Sequence, residues 1–334
     1  MDLSDRLKHS VGLFAFAMRL ENLVHEHKPP DFPRISTKGH FDVVYPGKRP
    51  RDVDLNAYPL TVPAELFGAL GEVRLRDGVG EREYRSEGDA IPGWDDGASP
   101  EEILVFAHGW LADDEGSLGR LSMMRYTLEH HGYPHPVVGF TWDTGQRPVE
   151  WRHGVEVGAR NGVKLAQFLH DYRTENPDTR IRLVSNSLGS EPLFEALRAL
   201  DAAGLEDVVS TSVTMGAATP SESVARGGRY GDAIANATRA HHNFWLSHDG
   251  TLNALYRNVE GHDAVGGTGA IGETPGNYRD HNAGDVPDHF SYYRKGHDGM
   301  GEVLATFEGL DLADGGDGAE GEEAAERSGS GGAT

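Results

Sequence analysis

Ser187 stands in the run Arg182-Leu-Val-Ser-Asn-Ser-Leu-Gly-Ser190, with a small residue two positions before it and a glycine two positions after. The apolar stretch Ile181–Val184 reads as a strand, and Leu193–Leu200 falls on a helix. A serine at such a junction sits on a sharp turn, and the small flanking residues let strand and helix approach. The helix N-terminus behind it offers N–H groups and the positive end of a dipole, which stabilise charge developing on a substrate oxygen. That combination suits nucleophilic acyl transfer. Ser-x-Gly also occurs at Ser10, Ser86, Ser117 and Ser330, but only Ser187 lies between an apolar strand and a helix. The competing reading, a plain serine N-cap, does not require Ser185 and Gly189 to be small.

Elements able to position this serine follow from the pattern around it. Ile103–Ala107, 136–142, Ile181–Val184 and 208–215 read as strands that are apolar throughout, with His242–Leu246 as a fifth. They alternate with helical patterns carrying Leu118, Leu121, Met124 and Leu128, then Val155, Leu165, Leu169 and Tyr172. Apolar strands alternating with amphipathic helices predict a parallel sheet covered on both faces, an α/β fold. Before this core, residues 1–96 read as an amphipathic helix within 1–30 followed by short strands, with Tyr58–Val62 and Glu72–Leu75 the clearest. The core spans 97–310. Residues 311–334 hold seven glycines and seven acids against one arginine and read as a disordered tail. The segment 220–240 reads equally as a short cap over the site and as a connecting helix.

The runs Phe106-Ala-His108-Gly-Trp110, Gly139-Phe-Thr-Trp142-Asp and Ser185-Asn-Ser187-Leu-Gly189-Ser190 resemble the uncharacterised α/β-hydrolases related to lipases and acyl-hydrolases. One departure is Asn186, where histidine is usual before the nucleophile. The resemblance implies an α/β-hydrolase fold with a triad in the chain order Ser, acid, His. It also implies an oxyanion hole from the backbone N–H groups of Trp110, after the His-Gly strand end, and Leu188. For the acid, Asp249 follows a late strand and precedes Gly250, with Asp263, Asp280 and Glu222 as rivals. For the base, His262, His281, His289 and His297 all lie beyond Asp249. His289 is preferred because Val286-Pro-Asp-His289-Phe-Ser-Tyr-Tyr resembles the His-x-x-Tyr segment of related hydrolases and lies before a final helix expected from about Gly299. His297 reads better as part of the turn into that helix, and His262 and His281 have no adjacent strand signal.

The expected activity is hydrolysis of an ester, lipid ester or thioester through an acyl-enzyme. A catalytically silent binding or scaffold protein on the same fold is the alternative. The chain has no cysteine and no His-x-x-x-His on a recognisable helix, so neither a cofactor nor a metal is expected. Its 53 acids against 31 Lys and Arg give a net charge of −22, which argues against nucleic acid as a partner. Val11–Met18 is too short to span a membrane, so the chain is expected to be cytoplasmic. The acid surplus, with only six lysines, reads as adaptation to molar salt. The thermal transition should therefore rise between about 0.1 M and 3 M KCl, as the Debye length shrinks to about 3 Å or less. An unchanged transition would refute the halophilic reading.

Overall fold

The computed structural model describes residues 32–44, 72–94, 97–144, 151–294 and 299–316. Strands β1 (Arg34–Ser36), β2 (Phe41–Val44), β3 (Glu72–Leu75), β4 (Arg85–Glu87) and β5 (Glu102–Ala107) come first. Helix α1 (Asp114–His130), strand β6 (Val137–Thr141), helix α2 (Trp151–Glu175), strand β7 (Arg180–Asn186) and helix α3 (Ser190–Ala202) follow. The chain continues through β8 (Val209–Met215), α4 (Gly231–Ala237), β9 (Thr238–Trp245), β10 (Tyr278–Asn282) and α5 (Gly299–Gly316), with three short helical turns between β9 and β10. Eight strands form one sheet in the order β10-β9-β8-β7-β5-β6-β1-β4. Its pairs are parallel except β1–β4, and β2 and β3 make a separate antiparallel pair.

Strand β5 shows why the run Ile103–Ala107 is apolar at every position. Ile103, Val105 and Ala107 face one core with Leu165, Phe168, Leu193 and Leu197. Leu104 and Phe106 face a second core with Leu121, Met124, Val303 and Phe307. Alternate residues thus point to opposite faces and meet helices on both. The C-terminal ends of β5, β7 and β8 converge on one edge, where open α/β sheets bind their ligands.

Several elements differ from the sequence expectation. Strand β9 begins at Thr238, four residues before the apolar stretch, because its polar side chains find partners on β8: Ser212 Oγ lies 2.8 Å from His241 Nδ1, and Thr214 Oγ1 donates to Asn243 at 2.9 Å. His281, expected outside any strand, lies in β10, whose pattern of exposed residues suits a sheet edge and gives no apolar run. Helix α5 runs to Gly316 and so takes in the first six residues of the expected tail. The 220–240 segment divides into turns, α4 and the start of β9. The N-terminal helix, Tyr58–Val62, His297 and the tail from 317 onward lie outside the described residues. Among the described residues no helix is long and apolar enough to cross a membrane.

Toward the opposite ends of the strands, the first residue of β5 and the third of β7 are joined by a buried ion pair. Arg182 Nε lies 2.9 Å from Glu102 Oε2, both side chains 2% exposed, and Tyr133 Oη donates to Glu102 Oε1 at 2.6 Å. Removing one partner of such a pair strands the other charge away from water. Arg182→Met should lower unfolding free energy by about 3–5 kcal/mol in urea titration; a loss within experimental error would mean that Arg180 and Tyr133 alone satisfy Glu102.

Candidate active site

Strand β7 ends at Asn186, and the next residue, Ser187, has a φ of 56°. A β-carbon in this left-handed region is crowded, so the surroundings must hold the residue there. Two glycines make the crowding tolerable. A β-carbon on Gly189 would lie 2.3 Å from the Ala107 carbonyl oxygen, and one on Gly109 would lie 2.9 Å from Ser187 Cβ. On the other side, Asn186 Nδ2 donates to Met215 O at 3.0 Å and Ala218 N–H to Ser187 O at 3.2 Å. The turn is thereby gripped between the ends of β5 and β8, with α3 starting directly behind it.

Asp249 and His289 reach this turn from late in the chain. Asp249 is fully buried, and its Oδ1 accepts the backbone N–H groups of Thr251 and Leu252, both at 2.9 Å. Its Oδ2 lies 2.6 Å from His289 Nδ1, and His289 Nε2 lies 2.8 Å from Ser187 Oγ. A carboxylate at Oδ2 requires the proton on Nδ1, so Nε2 accepts from the serine hydroxyl. Gly216 backs the imidazole: a β-carbon there would stand 3.2 Å from Nδ1. Tyr292 is buried beside Gly216, and burial, helped by the Asp249 charge, holds its phenol well above the usual tyrosine range.

His108 organises the loop that approaches Ser187 from β5. It is fully buried and stacked on Trp142, and burial holds its imidazole well below the usual histidine range, so it is neutral. The Trp142 backbone N–H donates to Nε2 at 3.4 Å, which places the ring proton on Nδ1, facing the Gly109 carbonyl at 3.0 Å. Trp142 Nε1–H donates to His108 O at 3.2 Å, and Arg120 donates to Trp110 O at 2.8 Å. Beyond the loop, Trp110 packs edge-on against Trp151, and Trp151 against Tyr256.

The structure therefore brings Ser187, His289 and Asp249 into one hydrogen-bonded line, with Leu188 and the Gly109–Trp110 peptide beside it. The rivals are engaged elsewhere. Asp263 pairs with Arg257, Asp280 accepts from Asn243, Tyr278 and the Ala270 N–H, and Glu222 is exposed. His281 lies against His242, and His262 against Tyr256. Among the described residues no three His, Cys, Asp or Glu side chains gather as a metal site. Sequence reasoning missed the bracing roles of His108, Trp142 and Gly216, and a buried Glu191 on α3. The two acids inside the apolar face of that helix, Glu191 and Glu195, were the available signal for the last.

The family described as Alpha/beta hydrolase of unknown function matches residues 96–220, a span that includes Ser187 and ends before Asp249 and His289. No curated protein matches the chain. Among solved structures, an esterase from Pyrobaculum calidifontis is similar at 14% identity, over 93% of this chain and 95% of that one, with a TM-score of 0.37. The type II thioesterase YbtT of yersiniabactin biosynthesis is similar at 14% identity, over 67% and 96%, with a TM-score of 0.32. A Trichoderma reesei cutinase in complex with a phosphonate inhibitor is similar at 19% identity, over 42% and 64%, with a TM-score of 0.28, so the chain spans just under two thirds of its length.

The two close glycine contacts differ in how tight they are. A β-carbon on Gly189 would lie 2.3 Å from Ala107 O, and one on Gly109 2.9 Å from Ser187 Cβ and 3.0 Å from Asn186 O, so both alanine substitutions should destabilise by about 1–3 kcal/mol, the first more than the second. Equal, negligible losses in denaturant unfolding would contradict the close approach of β5 to the turn.

Proposed function

We propose that this member of the α/β-hydrolase superfamily is a serine hydrolase that cleaves an ester, lipid ester or thioester through an acyl-enzyme. The unbroken line from Asp249 through His289 to Ser187 carries the reading. Ser187 Oγ attacks the acyl carbon while His289 Nε2 takes its proton, and Asp249 stabilises the imidazolium that results. The tetrahedral oxyanion is held by the backbone N–H groups of Leu188, just before α3, and of Trp110, in the loop after β5. The peptide geometry supports Trp110 in this role. In a trans peptide the C=O and the following N–H point in opposite directions, so anchoring the Gly109 carbonyl to the His108 ring turns the Trp110 N–H away from that ring. Collapse of the intermediate transfers the proton from His289 to the leaving alcohol or thiol. Water activated by the same nitrogen then releases the acid.

The substrate is a small-molecule or lipid-like acyl compound, and the acid surplus supports action in high salt. A fluorophosphonate probe should label the wild-type chain, and Ser187→Ala should abolish both labelling and hydrolysis of p-nitrophenyl esters with the fold retained. Asp249→Asn should lower kcat by a factor of about 10² to 10⁴, and His289→Ala should lower kcat/KM by about 10³ or more. Undiminished labelling of the Ser187→Ala chain, or a larger loss at His297→Ala than at His289→Ala, would overturn the assignment of roles.

A further inference from the structure

Leu111, in the loop after β5, has a φ of 56°. A branched side chain in this left-handed region is strained, and the residue stays there only where its neighbours hold it. Leu111 directly follows Trp110, whose N–H is the second oxyanion donor of the proposed reaction.

The chain on either side of Leu111 is tied to three different elements. Upstream, the Gly109 carbonyl faces His108 Nδ1 at 3.0 Å. Downstream, the Ala112 N–H donates to Thr144 Oγ1 at 3.0 Å, and that hydroxyl donates back to Ala112 O at 3.4 Å. Between these anchors, Arg120 Nη1 donates to Trp110 O at 2.8 Å. Arg120 comes from the buried face of α1, beside Leu121 and Met124, and is itself 8% exposed. A guanidinium placed there makes a charge-assisted hydrogen bond to the carbonyl, stronger than one between neutral groups.

The strain at Leu111 and the bond to Arg120 oppose each other. With Ala112 held, Leu111 relaxes toward negative φ by rotation of the Trp110–Leu111 peptide plane, which changes ψ of Trp110 and φ of Leu111 together. The same rotation swings Trp110 O away from Arg120. The Trp110 N–H belongs to the preceding peptide, and the two planes meet at the Trp110 α-carbon. With both planes anchored, φ and ψ of Trp110 are fixed, and so is the direction of its N–H. With Arg120 removed, only the Gly109 anchor aims that donor.

We propose that Arg120 is a positioning residue for the oxyanion hole: by gripping Trp110 O, it keeps the strained loop closed and the Trp110 N–H aimed at the acyl oxygen. The effect on turnover rests on the serine-hydrolase reading, whereas the grip on the loop does not. The test compares wild type, Arg120→Met and Arg120→Lys well below their unfolding midpoints. Arg120→Met should lower kcat on a p-nitrophenyl ester by about 10- to 100-fold with KM within about twofold, since the oxyanion forms only after binding. Affinity for a phenylboronic acid, whose adduct with serine puts an oxygen where the oxyanion develops, should weaken by a similar factor. Arg120→Lys keeps the charge and a donor without the planar fork, so it should lose less. Where Arg120→Met does not fold, Arg120→Lys carries the same comparisons.

Hydrogen exchange at the amides of 110–112 gives a readout independent of activity. It should quicken about tenfold or more in Arg120→Met, while exchange along β5 stays as in the wild type. Unchanged exchange in the loop overturns the grip, whatever the activity. Faster exchange with kcat and boronate affinity unchanged, or with a loss confined to KM, overturns the role in oxyanion positioning. A wild type that neither hydrolyses esters nor takes the fluorophosphonate, yet shows the exchange difference, overturns the hydrolase reading and retains the grip on the loop.

Discussion

The site depends on one backbone constraint, the left-handed conformation of Ser187 at the end of β7. Such a conformation costs a serine roughly 1–2 kcal/mol, so it persists only where neighbouring structure leaves the chain no alternative. Here β5 and β7 are adjacent parallel strands whose ends stop together. Gly189 lets the start of α3 close onto Ala107 O, and Gly109 lets the loop after β5 touch Ser187. The hydroxyl is then held at the sheet edge and partly exposed, although almost every residue around it is buried.

From that constraint the roles of the remaining elements follow. The acid and the base cannot come from the turn itself, because its neighbours are committed to holding it. They arrive from sequence positions 62 and 102 residues further on, each anchored by its own backbone. Asp249 uses one carboxylate oxygen to accept two amides and keeps the other for His289. His108, on the opposite side, is neutral and spends one ring nitrogen on Gly109 in its own loop and the other on the Trp142 N–H beyond β6, so the site contains one imidazole positioned to exchange a proton with the serine and another that is a brace.

The parallel sheet was legible because strands buried on both faces must be apolar along their buried run, and β5 is from Ile103 to Ala107. The turn was legible for a related reason: small residues around a serine are required by sterics that operate within a few residues. Asp249 and His289 could be nominated from chain order and local turn chemistry, but their approach to Ser187 depends on contacts across 40 and 102 residues that no local pattern encodes. Strand β10 escaped notice because an edge strand can be polar, and the early part of β9 because its polar His241 is satisfied by a hydroxyl on β8. The bracing by Gly216 was illegible for the same reason, since its partners are distant in sequence.

The acid surplus of the chain extends into its interior, and the buried carboxyls are satisfied in different ways. Glu102 has Arg180, Arg182 and the Tyr133 hydroxyl. Glu195 has Arg198 and Arg229, and Asp249 has two amides and an imidazole. Glu191 has one threonine hydroxyl and a share in a tyrosine whose proton is better placed for another acid. Among the described residues it forms no ion pair, so the penalty for removing its charge from water is the least compensated of the four. Burial pushes this carboxyl up to about 7, within a turn of the proposed nucleophile. The weakest electrostatic compensation among these four carboxyls therefore lies in the first turn of the helix behind Ser187.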